Sequence, residues 1–155
     1  MMTRRPRTPA LIVLLATVVL GLGYSFTLGN WGRAAAKPAG NLENLERLVL
    51  AGTEKPKAYF EIGQQLRQAK RFSTAAKAYR LFLAAEPQNQ DALLYRATSL
   101  AQAGDANELY NHLVEMTQSN PKLAADILER PECLAHMKDT RFKELAGDAK
   151  AQAMD

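Results

Sequence analysis

Three side chains in this sequence are of types that could act together chemically: the thiol of Cys133, the imidazole of His136 and the imidazole of His112. A thiol beside an imidazole can form a nucleophile–base pair, the histidine taking the proton and the thiolate attacking. Such a pair also needs an oxyanion site and a group that orients the base, and the neighbouring residues identify neither. As metal ligands, Cys133 and His136 supply two donors where zinc takes three or four. Haem attachment needs Cys-x-x-Cys-His, which is absent. His112 lies 24 residues before His136 and falls in a different helical hairpin. With no glycine-rich phosphate loop either, the expectation is a protein with no catalytic residue, cofactor or metal. Cys133 is the only cysteine, so an intramolecular disulfide is impossible. Its place between Pro131 and Leu134 suits a packed position; a reactive thiol, or pairing with a partner, is the other reading.

The elements around these residues follow from a repeat. Tyr59, Ile62, Gly63, Leu66, Ala75, Tyr79, Phe82 and Pro87 return 34 positions later as Leu93, Arg96, Ala97, Leu100, Leu109, Leu113, Met116 and Pro121. From Pro56 to Ala69 the apolar residues fall at i, i+3, i+4 and i+7, one stripe of a helix. Gly63 and Ala97 sit within such stripes, where a small residue lets a partner helix approach. A second pattern, Ala75, Ala78, Tyr79, Phe82 and Leu83, stops before Pro87, which cannot continue a helix. Asp91 and Asp105 are the expected caps of the third and fourth helices, with Gly104 as the turn between them. Four antiparallel helices in two hairpins result. An ordinary four-helix bundle is the alternative, but it has no reason to repeat at this spacing.

The order Tyr59-x2-Ile62-Gly63-x2-Leu66, then Ala75-x3-Tyr79, then Pro87 resembles the tetratricopeptide repeat. The second copy departs from that pattern at Arg96 and Leu109. The resemblance covers a little under half of the chain. It implies an all-α fold with repeats at 56–89 and 90–123, and a scaffold that binds other proteins. Asn41 is the expected cap of a leading helix over 41–51, with Leu42, Leu45, Leu48 and Val49 on one face and Gly52 ending it. This helix resembles the second half of a degraded repeat and caps the stack, which two complete repeats alone would leave exposed. At the other end, 124–147 is expected as a capping segment. There Pro131 interrupts a helix begun at Lys122, and Leu134, Met137, Phe142 and Leu145 face inward. The whole repeat domain is 41–147, and 148–155 is expected as a frayed tail.

Before it, Met1 to Pro9 is a basic arm carrying Arg4, Arg5 and Arg7, and residues 10–28 hold no charge. Nineteen helical residues span roughly 28 Å, close to the hydrocarbon thickness of a bilayer. The expected reading is a retained transmembrane helix; a signal peptide cleaved near Ala34-Ala35-Ala36 is the alternative. Three arginines before the span against Arg33 and Lys37 after it place the N-terminus in the cytoplasm. The rest is then extracytoplasmic, which in a Gram-negative bacterium is the periplasm. Residues 29–40 form a short linker.

Charge excludes one tempting class. The chain carries 20 basic and 16 acidic residues. Five of the basic ones precede position 40 and none of the acidic ones do, so the domain itself is nearly neutral. Its Lys and Arg are dispersed, and nucleic acid is not an expected partner.

By helical arithmetic Phe60, Gln64, Arg67 and Arg71 lie about a quarter-turn from the apolar stripe, as do Leu94 and Thr98 on the third helix. The resemblance implies that this face lines a groove for a protein or peptide segment; on these side chains Phe60 is the expected apolar anchor, and Arg67 and Arg71 favour acidic segments or carboxylates. Phe60 and Gln64 stand where one well-known groove type has Lys and Asn to clamp a terminal carboxylate, so that clamp is not assigned. The same residues could instead be a solvated side or contacts to the leading helix. Two functions follow: a membrane-anchored adaptor or assembly factor holding a membrane-associated partner, or a fixed accessory subunit of a larger membrane complex.

Overall fold

The computed structural model describes residues 39–154. The basic arm 1–9, the expected span 10–28 and the linker up to residue 38 lie outside the described residues. Among the described residues no helix is long and apolar enough to cross a membrane.

Every described element is helical. In order they are α1 (Ala39–Ala51), α2 (Ala58–Gln68), α3 (Phe72–Leu83), α4 (Gln90–Ala103), α5 (Ala106–Ser119), α6 (Pro121–Leu128), α7 (Pro131–Leu134), a 3-10 turn (Ala135–Lys138) and α8 (Thr140–Met154). Residues from Gly40 onward form one unit. Helices joined by short turns pack as antiparallel hairpins: α2 on α3, then α4 on α5, with α3 also against α4, and α6 against α8 at the end.

The repeated positions are the core. Tyr59, Ile62, Leu66, Ala75, Tyr79 and Phe82 are buried, and so are Leu93, Ala97, Leu100, Leu109, Leu113 and Met116. Gly63 shows why a small residue stands in its stripe. A Cβ built there would lie 2.8 Å from Cε1 and Cζ of Tyr79, whose ring is itself fully buried. Replacing Gly63 by Ala should therefore destabilise the domain. Overpacking costs about 1–3 kcal/mol, which outweighs the gain of up to ~1 kcal/mol in helix propensity. Urea denaturation measures the balance, and an unchanged or raised midpoint would show that the Tyr79 ring yields.

The turns repeat too, with different residues. Arg71 N donates to Leu66 O at 2.8 Å and Lys70 N to Arg67 O at 2.9 Å; Asp105 N donates to Leu100 O at 3.1 Å and Gly104 N to Ala101 O at 3.2 Å. Both are the paired bonds that close a helix through a left-handed residue. Gly104 adopts φ 76° without strain, whereas Lys70 adopts φ 60° with a side chain, at a cost of roughly 1 kcal/mol.

Several expectations at helix ends are corrected. The cap of α4 is Asn89, whose side chain accepts from Ala92 N at 3.0 Å. Asp91 lies inside the first turn, where the positive end of the helix favours a carboxylate. Asp105 does cap α5, accepting from Glu108 N at 3.2 Å. α1 starts at Ala39, so Asn41 sits in its first turn and not before it. Gly52, at φ 65°, ends that helix. Val49 is buried and Leu42, Leu45 and Leu48 are half-buried, so the leading helix does pack on the core.

At the far end Leu134 is 54% exposed, against the inward orientation expected for it, and Cys133 is fully buried. Pro131 is the cause: it opens a new short helix, α7, and resets the helical phase. Met137 is half-buried, while Phe142 and Leu145 are buried. The chain is helical through Met154, past residue 147 where the domain was expected to end. Ala149 is fully buried, and Lys150 Nζ lies 2.7 Å from Glu129 Oε1 on the strand of chain after α6.

Candidate functional site

Between α2 and α4 lies an open depression of about 520 Å³ lined by Gln64, Arg67, Gln68, Lys70, Phe72, Tyr95 and Gln102. α2 supplies the first three, the strained turn supplies Lys70, and α4 supplies Tyr95 and Gln102 one face apart from its buried stripe. The Arg67 guanidinium carbon stands 4.5 Å over the Tyr95 ring centroid. A cation over an aromatic face is held there electrostatically, so this arginine is positioned before any ligand arrives. Its Nε is buried without a hydrogen-bond partner. Beneath it, burial pushes the Tyr79 phenol above its usual pKa, and the adjacent Arg67 charge opposes that rise. The lining thus offers two cations, three amides and no carboxylate.

Of the six residues expected on this face, Gln64 and Arg67 line the depression. Phe60 does not. It is half-buried, its ring 5.8 Å from Tyr79, 5.1 Å from Phe82 and 6.0 Å from Tyr95. That aromatic cluster makes Phe60 part of the packing between helices and not an exposed anchor. Arg71 is exposed, with Nε 3.6 Å from Glu46 Oε1 on α1. Leu94 is half-buried against the core, and Thr98 is buried with its hydroxyl donating to Leu94 O at 3.0 Å. The residues missed were Gln68, Lys70, Phe72, Tyr95 and Gln102. One signal was available for two of them: Gln68 and Gln102 are the same position of the repeat, 34 apart, and both are amides.

The residues with chemical potential are committed elsewhere. Cys133 is fully buried, and burial, helped by Glu132, pushes its thiol up to about 11, so the thiolate is scarce at neutral pH. The His136 ring is 3.3 Å, from Nε2, to Ala101 O and stacks 5.5 Å from Phe142. His112 is buried with Nε2 3.1 Å from Leu93 O and Nδ1 3.1 Å from Arg96 Nη1. A guanidinium has no acceptor, so Nδ1 accepts from Arg96 and Nε2–H donates to the carbonyl. Desolvation, then the Arg96 charge, lower the His112 pKa to about 4, so the ring is neutral. Among the described residues no group of three or more His, Cys, Asp or Glu is placed to hold a metal ion.

Comparison of the chain with protein-family models, characterised proteins and solved structures found no match.

Proposed function

We propose that residues 41–147 and the α8 extension form a short tetratricopeptide scaffold, held at the extracytoplasmic membrane face by a span over 10–28. Its task is to hold an acidic segment of a membrane-associated partner protein in the depression between α2 and α4, as adaptor or assembly factor. One observation carries this reading: the depression presents Arg67, pre-oriented on Tyr95, and Lys70, with three amides and no opposing carboxylate. Guanidinium and ammonium groups there bind carboxylates through charge-assisted bonds, while glutamine side chains can both donate to and accept from an extended peptide backbone. A groove built by two hairpins is short, so the affinity for a free segment is expected in the micromolar range. Anchoring both molecules to one membrane raises their effective concentration and offsets that weakness.

The test uses photo-cross-linking side chains at Gln68 and Gln102, with Lys77, exposed on α3 and outside the depression, as control. In native membranes the two groove positions should capture one and the same partner, and Arg67→Ala should abolish capture in a protein of unchanged helicity and melting temperature. Equal capture from Lys77, or capture indifferent to Arg67→Ala, would move the binding site off this face. The anchor is tested separately: the full chain should stay with the membrane after carbonate washing, and a mature N-terminus at Lys37 would remove that part of the proposal.

A further inference from the structure

A second depression, of about 400 Å³, shares no residue with the first and lies where the end of α3 meets α4 and α5. Its volume falls in the range of small-molecule sites. Leu83, Leu93 and Met116, all core residues, give it an apolar floor. Arg80 from α3, Arg96 from α4 and Glu115 from α5 give it charge. No ion pair forms at Arg80 or Arg96 among the described residues. Arg96 spends Nη1 on His112, and its Nε is buried with no partner. Burial disfavours the Arg96 charge, Glu108 and Glu115 offset part of that, and Arg80 adds repulsion. His112 is neutral, so the lining itself carries two guanidiniums and the Glu115 carboxylate over an apolar surface, with Glu108 acting on Arg96 from α5.

We propose that this depression binds a small monocarboxylate with a short apolar chain, the carboxylate between Arg80 and Arg96 and the chain on Leu83, Leu93 and Met116. The carboxylate supplies the ionic acceptor that neither guanidinium has among the described residues, in bonds stronger than those between neutral groups. The apolar chain displaces water from the floor. A bare inorganic anion leaves the floor wet, and an alcohol of the same length leaves the guanidiniums unpaired; neither combines the two gains. Glu115 competes with the ligand for Arg96, so it limits the affinity.

The experiment is an NMR titration of the full chain in neutral detergent, labelled with 15N at its two histidines. Hexanoate should shift the His112 Nδ1 resonance saturably, because a carboxylate draws Arg96 away from that nitrogen. His136 reports non-specific effects and should not move. Hexanol and acetate at the same concentrations should give no saturable shift. Arg80→Gln, at an exposed position, should weaken hexanoate binding roughly tenfold, and Glu115→Gln should tighten it roughly threefold. The proposal is overturned if hexanoate leaves His112 unmoved, if hexanol or acetate acts equally, or if neither substitution changes the affinity.

Discussion

Replacing Phe142 by Ala should cost about 3–5 kcal/mol of stability, the range for truncating a large ring in a closed core. The ring comes from α8, in the segment after the two repeated hairpins, and is fully buried. It meets Tyr110 of α5 edge-on, centroids 5.6 Å apart at 73°, and the His136 ring at 5.5 Å. Edge-to-face pairs add to the area that the ring buries. Arg141 then covers Tyr110 from outside at 5.2 Å and is held by Asp139 at 2.7 and 3.0 Å. The loss therefore reaches α5 as well as α8. Urea denaturation followed by circular dichroism measures it. A loss below about 0.5 kcal/mol, the size expected at a surface position, would show that α8 is an appendage and that the two hairpins stand without it.

Acid should destabilise the domain through His112. In the folded chain its pKa is held down at about 4, against 6.5 for the free side chain, by desolvation first and by Arg96 second. Between those values the unfolded chain binds a proton that the native chain refuses, so stability rises with pH across the window. The contribution is complete above pH 6.5 and is lost as pH falls toward 4. The difference of roughly two and a half units corresponds to about 3 kcal/mol, at ~1.4 kcal/mol for each unit. The groups around the ring explain the direction. Arg96 on α4 faces Nδ1, so a proton added there meets a guanidinium, and Arg80 on α3 adds a like charge near Arg96. Glu108 and Glu115 on α5 act on Arg96 and only partly compensate. Denaturation curves at pH 7 and pH 5 should differ in midpoint, and His112→Gln, which cannot titrate, should remove most of that difference. A wild-type midpoint that is flat between the two values would mean that the ring is hydrated in the native state.

Which residues form the core could be read from residue types and their spacing alone. A helical stripe needs only the 3.6-residue period, and a repeat of 34 copies that stripe with its turn. That is why Tyr59, Leu66, Tyr79 and Phe82 could be placed inside together with Leu93, Leu100, Leu113 and Met116. Gly63 could be read as a point of close approach for the same reason, and Gly104 as a turn from its freedom at positive φ. What tertiary structure alone decided lies at the contacts between helices. The Ile62 and Ala78 positions of the first hairpin carry Arg96 and His112 in the second. Only the packed chain shows that these two bond to each other at 3.1 Å. Lys70 takes the left-handed turn of Gly104 because the hairpin geometry imposes it, against the preference of a side chain. Phe60 was placed on the open face by helical angle, but angle does not say which neighbour covers a residue, and Tyr95 from the next hairpin reaches it. The same Tyr95 holds Arg67, so the candidate site is made by two helices that are adjacent only after folding.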